Sequence, residues 1–231
     1  GVNGIDQKLF DPKHDPKLFT KYGIKDYVAG KAANKKALCE MINLPFDENR
    51  PLVAMVTRLT EQKGMDLVGC VIDDIMRADI QVVVLGTGDW KYENMIKSVE
   101  SRYPSKFRAI LAFSSDLASK LYAASDLFLM PSKFEPCGLS QLIAMRYGSI
   151  PIVRETGGLK DTVPAYNSET GEGKGFTFKT YNAYDMLDAV WRAYACFHDK
   201  PQWDTVVKNA MSSDFGWDVS AQKYISLYEN L

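Results

Sequence analysis

The residues best suited to chemistry lie in the segment 131–142, which carries one carboxylate, Glu135, between an apolar run and a helical pattern. The apolar run 126–130 is typical of a buried strand in a parallel sheet. A carboxylate at this point can cap the following helix or accept hydrogen bonds from the hydroxyls of a sugar, and its position alone does not decide between the two. The first backbone amides of the predicted helix, which we expect to form an anion site, belong to Cys137, Gly138 and Leu139.

Cys137 lies where the N-terminus of a helix lowers the pKa of a thiol, an arrangement that can create a nucleophile. No histidine lies near it in the sequence to act as a base. We therefore interpret Cys137 as a small residue that lets the backbone approach a ligand.

Two cations, Arg58 and Lys63, flank the turn that follows the apolar run 52–56. A guanidinium fork and a mobile ammonium in this arrangement can both reach a phosphate that lies between them. The alternative is a pair of solvated surface cations, which is the usual environment of these residue types. The predicted helix N-terminus and the glycine-bearing loops nearby favour phosphate binding.

Two weaker candidates lie after the apolar run 81–85 and at the end of the apolar run 109–113. The glycines of the loop 86–89 serve either a ligand or a tight turn, and the loop contains neither a dinucleotide-binding fingerprint nor a phosphate-binding loop of the Walker type. Phe113 is either a stacking surface for a base or a core aromatic, and core packing is the default expectation.

The elements that must position these residues alternate between strand and helix patterns along the chain. We predict strands at 52–56, 81–85, 109–113, 126–130, 150–153 and 175–178. A helix is predicted at 31–42, before the first strand, further helices are predicted between the strands, and two helices with apolar residues 186–194 and 221–228 follow the last strand. This alternation predicts an α/β fold with a doubly wound, mostly parallel, Rossmann-like sheet. Ligands bind such sheets at the carboxyl ends of the strands, so we expect the loops 58–64, 86–89, 133–140 and 156–159 to face one crevice.

The composition of the chain limits the classes of function that it can have. A chain of 231 residues, 46% hydrophobic, can bury one large core, and we predict a turn-rich, extended connector at 1–30 before a single domain at 31–231. A formal net charge of −1 predicts no nucleic-acid partner and no membrane partner. The four cysteines are widely spaced, which predicts a reduced, cytoplasmic protein without a metal site. The first residue is not Met, so we expect the chain to be a piece of a longer polypeptide.

Three motifs in this order resemble those of bacterial glycogen synthase and plant starch synthase. They are the segments 58–64, 135–141 and 146–163. The beginning of the chain, at 3–6, and its end, at 215–217 and 224–228, resemble the limits of the C-terminal domain of that family. The resemblance implies the donor-binding half of a retaining, ADP-glucose-dependent glucosyltransferase of the GT-B fold. The implied partners are ADP-glucose or ADP, an α-1,4-glucan acceptor and an absent N-terminal half, with no cofactor, and the isolated chain is expected to be inactive.

The same resemblance assigns roles to individual residues. Arg58 and Lys63 match the pair that binds the diphosphate, and Glu135 matches the carboxylate that contacts the transferred glucose, so these three are the implied catalytic residues. Ser140 stands where the family usually has Thr, and Phe113 stands where it often has a Tyr that stacks on adenine. The implied substrate-binding residues are Phe113, Cys137, Gly138, Leu139 and Ser140. Ile143 replaces a second Glu found in other GT-B families, which argues against a sucrose or lipid glycosyltransferase.

Two other functions remain open. The chain is alternatively a nucleotide-sugar binding module without catalysis, since half an enzyme cannot close a cleft over its donor. A nicotinamide-dependent oxidoreductase is the other alternative, and the missing glycine fingerprint and ribose-binding acid count against it.

Overall fold

A computed structural model describes residues 10–135 and 138–213 of the chain, and these residues form a six-stranded parallel sheet flanked by helices. The strands are β1 (Leu52–Val56), β2 (Gln81–Leu85), β3 (Phe107–Ile110), β4 (Leu127–Met130), β5 (Ile150–Arg154) and β6 (Phe176–Phe178). Their order is β3-β2-β1-β4-β5-β6, and each neighbouring pair is parallel. The predicted doubly wound, Rossmann-like sheet is therefore confirmed.

The helices alternate with the strands as predicted. They are α1 (Tyr27–Ile42), α2 (Met65–Arg77), α3 (Trp90–Arg102), α4 (Ser115–Ala124), α5 (Ser140–Arg146), α6 (Gly158–Thr162), α7 (Ala183–Phe197) and α8 (Lys200–Met211). Met65, Val68, Ile72 and Ile75 form an apolar stripe on α2, and all four are buried. Within the described ranges, no helix is both long enough and apolar enough to span a bilayer.

Some predicted boundaries are wrong. Strand β3 begins at Phe107 and ends at Ile110, so Phe113 lies beyond it, and α1 begins four residues before the predicted start. Helix α8 was not predicted, although Asp199 caps its first turn by accepting a hydrogen bond from the amide of Gln202, and Pro201 lies in that turn. The predicted helix at 221–228 lies outside the described residues.

The described part of the predicted connector packs against the domain. Phe10, Leu18 and Tyr22 are buried, so this part is a packed segment and not the extended connector that was predicted. The hydroxyl of Tyr22 donates to the carbonyl oxygen of Tyr147 at 2.5 Å. The hydroxyl of Tyr147 donates to a second residue of the segment, the buried carboxylate of Asp15, at 2.6 Å. These two buried hydrogen bonds attach the segment to the C-terminal end of α5.

A buried lysine on α1, Lys31, joins the C-terminal end of α5 to the C-terminal end of α4. The Lys31 ammonium donates to the carbonyl oxygens of Tyr122 at 3.1 Å, Ala123 at 2.8 Å and Tyr147 at 2.9 Å. The first two carbonyls end α4 and the third follows α5, and a cation is favourable at the C-terminus of a helix. Lys31 therefore fixes the C-terminal end of α5, whose N-terminal end faces the candidate site.

Lys35, one turn further along α1, fixes the two central strands. Its ammonium lies 2.9 Å from a carboxylate oxygen of Asp126, directly before β4, and that oxygen also accepts from the amide of Leu52, the first residue of β1. The Lys35 ammonium and the Asp126 carboxylate form an ion pair, so neither of these two charges is buried without a partner. The amino ends of β1 and β4 are thereby held side by side.

Lys31 makes the stability of the fold depend on pH. Burial lowers its pKa from the ordinary value of 10.5 to about 7, against the attraction of Asp126. Above pH 7 the unfolded chain therefore binds more protons at this residue than the folded chain does. The free energy of unfolding should consequently rise with pH between about 7 and 10.5, by up to about 1.4 kcal/mol per pH unit from Lys31.

Urea unfolding at several pH values checks this expectation. The stability difference between the parent chain and Lys31→Met should grow in favour of the parent as the pH rises, because the other titrating groups contribute to both proteins. Lys36→Met, at an exposed position of the same helix, is the control and should show a constant difference. A constant difference for Lys31→Met as well would contradict the assignment.

Candidate active site

Lys63 and Glu135 meet at the carboxyl edge of the sheet. The Lys63 ammonium lies 3.2 Å from Oε2 and 3.4 Å from Oε1 of Glu135, although the two residues are 72 positions apart in the sequence. β1 and β4 are neighbouring parallel strands, so the loops that follow them leave the sheet at the same edge. The structure thus brings together two of the three predicted catalytic residues.

Glu135 is held in place by a second donor. The hydroxyl of Ser132 donates to Oε2 at 2.9 Å, and the Glu135 side chain is 10% exposed while that of Lys63 is 25% exposed. The cap position of α5 is Leu139, and among the described residues no side chain forms a capping hydrogen bond with this helix. The helix-capping interpretation of Glu135 is therefore wrong, and its carboxylate is directed at Lys63.

Backbone contacts between the two loops set the distance between Lys63 and Glu135. A single 3₁₀ turn, Glu61–Lys63, ends at Gly64, whose φ is +86°. A Cβ atom at Gly64 would lie 2.3 Å from the carbonyl oxygen of Pro131, so only glycine permits this approach. Beside it, the amide of Lys133 donates to the carbonyl oxygen of Gln62 at 2.8 Å.

Arg58 lies on the surface just after β1, at the same edge of the sheet. In residues 10–135 and 138–213, no carboxylate forms an ion pair with its guanidinium, whereas Lys63 is paired. An exposed guanidinium without a carboxylate partner is able to bind an anion from solvent.

The glycine loop after β2 supports the segment that carries Arg58. A Cβ atom at Gly86 would lie 1.8 Å from the carbonyl oxygen of Thr57, and one at Gly88 would lie 2.4 Å from that of Leu59. The amide of Leu59 also donates to the carbonyl oxygen of Thr87 at 2.9 Å. These contacts favour the structural interpretation of the glycines over the ligand interpretation, although the reason is close backbone packing on a neighbouring loop rather than the tight turn that was predicted.

Aromatic side chains are exposed at this edge. Phe113, three residues after β3, is 47% exposed, so the default expectation that it packs in the core is wrong. Trp90, at the start of α3, and Phe134, next to Glu135, are 78% and 61% exposed, and no role was predicted for either. The ring of Phe113 is accessible to a planar ligand.

The remaining predicted binding residues lie at and just before the start of α5, which begins at Ser140 with Leu139 as its cap residue, so the prediction that Gly138 lies in the first turn of the helix is wrong. Gly138 has a φ of +54°, Leu139 is buried and Ser140 is the first residue of the helix. Cys137 lies outside the described residues.

Comparison with known proteins gives a consistent set of relatives. Residues 40–201 match the family described as glycosyl transferases group 1. The chain is 49% identical over 230 residues to a glycogen synthase of Anoxybacillus flavithermus, covering 100% of this chain and 47% of that protein. It is 52% identical over 228 residues to a glycogen synthase of Clostridium acetobutylicum, covering 98% and 48% respectively. The chain thus spans about half the length of the curated relatives it matches.

A solved structure resembles the fold closely. The catalytic domain of starch synthase IV from Arabidopsis thaliana, bound to ADP and acarbose, superposes with a TM-score of 0.85 at 38% identity. The match covers 97% of this chain and 47% of that one. The predicted GT-B type of architecture is confirmed by this likeness.

The contact at Gly64 predicts a large effect of a single methyl group. Gly64→Ala should lower the free energy of unfolding by about 2 kcal/mol or more, because the left-handed conformation is strained for alanine and the methyl group meets the carbonyl of Pro131. Gly158→Ala is the matched control, since a Cβ atom there meets nothing within 4 Å, and it should cost less than about 0.5 kcal/mol. Equal unfolding midpoints for the two variants in urea would show that the loops are not in this contact.

Proposed function

We propose, from the premise that this chain belongs to the group 1 glycosyl transferases, that it is the donor-binding half of a glucosyltransferase of the glycogen and starch synthase type. The reaction transfers glucose from ADP-glucose to the non-reducing 4-hydroxyl of an α-1,4-glucan with retention of configuration. The observation that carries the proposal is the 3.2 Å contact between Lys63 and Glu135 at the carboxyl edge of the sheet. Relatives named glycogen synthase, about half identical over the whole chain, support the choice of substrate.

The two cations stabilise the leaving group in this proposal. Cleavage of the bond between glucose C1 and the phosphate leaves ADP with additional negative charge. Arg58, which has no carboxylate partner among the described residues, and the partly exposed ammonium of Lys63 lie at one edge of the sheet. Cations that are already in place where charge develops lower the barrier to the reaction, and no step is assigned to a metal or a cofactor.

Glu135 is proposed to hold the transferred glucose. As cleavage proceeds the sugar becomes similar to an oxocarbenium ion, and hydrogen bonds to its hydroxyls strengthen. Lys63 and Ser132 fix the orientation of the Glu135 carboxylate, which has further lone pairs to accept hydrogen bonds from sugar hydroxyls. The backbone at Gly138 and Leu139, with the hydroxyl of Ser140 and the neighbouring Cys137, is proposed to contact the glucose and the adjacent phosphate.

The exposed ring of Phe113 is proposed to stack on the adenine base. An aromatic face provides affinity without distinguishing one base strongly from another. The choice of adenine is supported by the starch synthase structure described above, which was solved with ADP.

A second half of the enzyme is proposed to supply the acceptor surface. The relatives are about twice as long as this chain, which supports a two-part enzyme whose cleft closes between the halves. The isolated chain should therefore bind the donor nucleotide without transferring glucose. A cytoplasmic location is proposed for the whole enzyme.

Lys63→Ala tests the proposed chemistry. In an enzyme that contains both halves, we expect kcat to fall about 100-fold or more, because a charge that stabilises the transition state is removed. In the 231-residue chain, calorimetric titration with ADP should show at least tenfold weaker binding than in the parent. The unfolding temperature should fall only modestly, because the Glu135 carboxylate, which is 10% exposed, loses its cation but keeps the hydrogen bond from the Ser132 hydroxyl.

Lys97→Ala, at an exposed position on α3, is the control and should retain both activity and ADP affinity. Parental activity in Lys63→Ala would remove this residue from the mechanism. Parent enzyme that binds ADP but never elongates a glucan, even with both halves present, would instead favour a binding module without catalysis.

A further inference from the structure

Tyr181 joins the loop after β6 to the turn that carries Lys63. Its hydroxyl oxygen lies 2.6 Å from Oδ1 of Asp66 and 3.0 Å from the carbonyl oxygen of Glu61. Glu61 begins the 3₁₀ turn and Asp66 lies in the first turn of α2, so one side chain contacts the chain on both sides of Lys63.

The hydroxyl of Tyr181 acts as a permanent donor. Its single proton goes to the Asp66 carboxylate, which is the closer and the charged acceptor. Burial raises the pKa of Tyr181 above its ordinary value, and the hydrogen bond and negative charge of Asp66 raise it further. The hydroxyl therefore keeps its proton throughout the physiological pH range.

The ring of the same tyrosine contacts the loop that leads to Glu135. The Lys133 ammonium lies 5.5 Å from the ring centroid and the Arg154 guanidinium carbon lies 5.7 Å from it. Both distances are within the range of cation–π attraction.

Arg154, the last residue of β5, binds that loop through its backbone. Its guanidinium donates to the carbonyl oxygen of Lys133 at 2.7 Å, that of Ser132 at 3.4 Å and that of Lys179 at 3.3 Å. The guanidinium is planar and presents its donors in fixed directions, so it holds the loop after β4 and the loop after β6 in one arrangement.

From these contacts we propose that Tyr181 is a positioning residue for the donor diphosphate, because it holds the Lys63 turn against the loop that carries Glu135. The inference rests on the proposed function and deepens it. Tyr181 itself is not assigned a contact with the substrate. Its effect is to keep the Lys63 ammonium in its binding position before the nucleotide arrives.

Such preorganisation has a selective consequence for nucleotide binding. A Lys63 turn that is not fixed must be ordered when the diphosphate binds, and this ordering costs affinity. The adenosine part of the ligand does not depend on Lys63 in the proposed site. Loss of the Tyr181 hydroxyl should therefore weaken the binding of ADP more than that of AMP.

The test compares Tyr181→Phe with a matched variant, Tyr27→Phe, by calorimetric titration with ADP and with AMP. The hydroxyl of Tyr27 also donates to a carboxylate, that of Asp204, at 2.6 Å. Tyr27 lines a cavity of about 440 Å³ together with Asp126, which directly precedes β4, and Gly148, two residues before β5, so it lies at the opposite edge of the sheet. The control variant thus loses the same kind of hydrogen bond, from a tyrosine hydroxyl to a carboxylate, at a position far from the candidate site.

We expect Tyr181→Phe to weaken ADP binding about three- to tenfold, with a smaller change for AMP, and Tyr27→Phe to leave both affinities at the parental value. In the enzyme with both halves, Tyr181→Phe should raise the KM for ADP-glucose and leave the KM for the glucan unchanged. A merely structural role would lower the unfolding temperature of both variants without altering the ratio of ADP to AMP affinity.

Three results would overturn the inference: parental ADP affinity in Tyr181→Phe, equal losses for ADP and AMP, or an equal loss of ADP affinity in Tyr27→Phe. If these occur while Lys63→Ala still abolishes activity, the proposed function stands and only the role of Tyr181 fails. If the parent chain does not bind ADP at all, the proposed function fails as well.

Discussion

The close approach of two loop backbones at Gly64 and Pro131 is the constraint on which the candidate site depends. A parallel sheet with β1 beside β4 sends both loops to one edge, but strand order alone leaves several ångströms of freedom between side chains. A glycine with a φ of +86° removes that freedom, because its backbone packs directly on a carbonyl. The Lys63 ammonium is consequently held at 3.2 Å from Glu135.

The opposite edge of the sheet is fixed by buried charges. Lys31 and Lys35, one turn apart on α1, bind the ends of two helices and the starts of two strands. Tyr147 connects this edge to the segment before α1 through its hydroxyl and its carbonyl. The helix α5 thus begins near the site and ends in a network of buried hydrogen bonds, which links the packing of the fold to the position of the loop that carries Glu135.

Much of the fold could be predicted from the sequence because its strands are short apolar runs with polar residues at their ends. β1 and β2 have the predicted bounds, whereas β3 overlaps the apolar run 109–113, in which no residue marks the end of the strand at Ile110. The candidate residues Arg58, Lys63 and Glu135 could be selected by type and by position after strands. Their pairing could not, because it depends on strand order and backbone contact. Tyr181 lies 115 residues from Asp66, and no local pattern indicates that contact.

A crystal structure of this chain with ADP-glucose would test the central claim most directly. The account predicts the diphosphate between the guanidinium of Arg58 and the ammonium of Lys63, with the glucose hydroxyls within hydrogen-bonding distance of the Glu135 carboxylate. Nucleotide bound in the cavity at the amino edge of the sheet, or at any surface without these two cations, would contradict it.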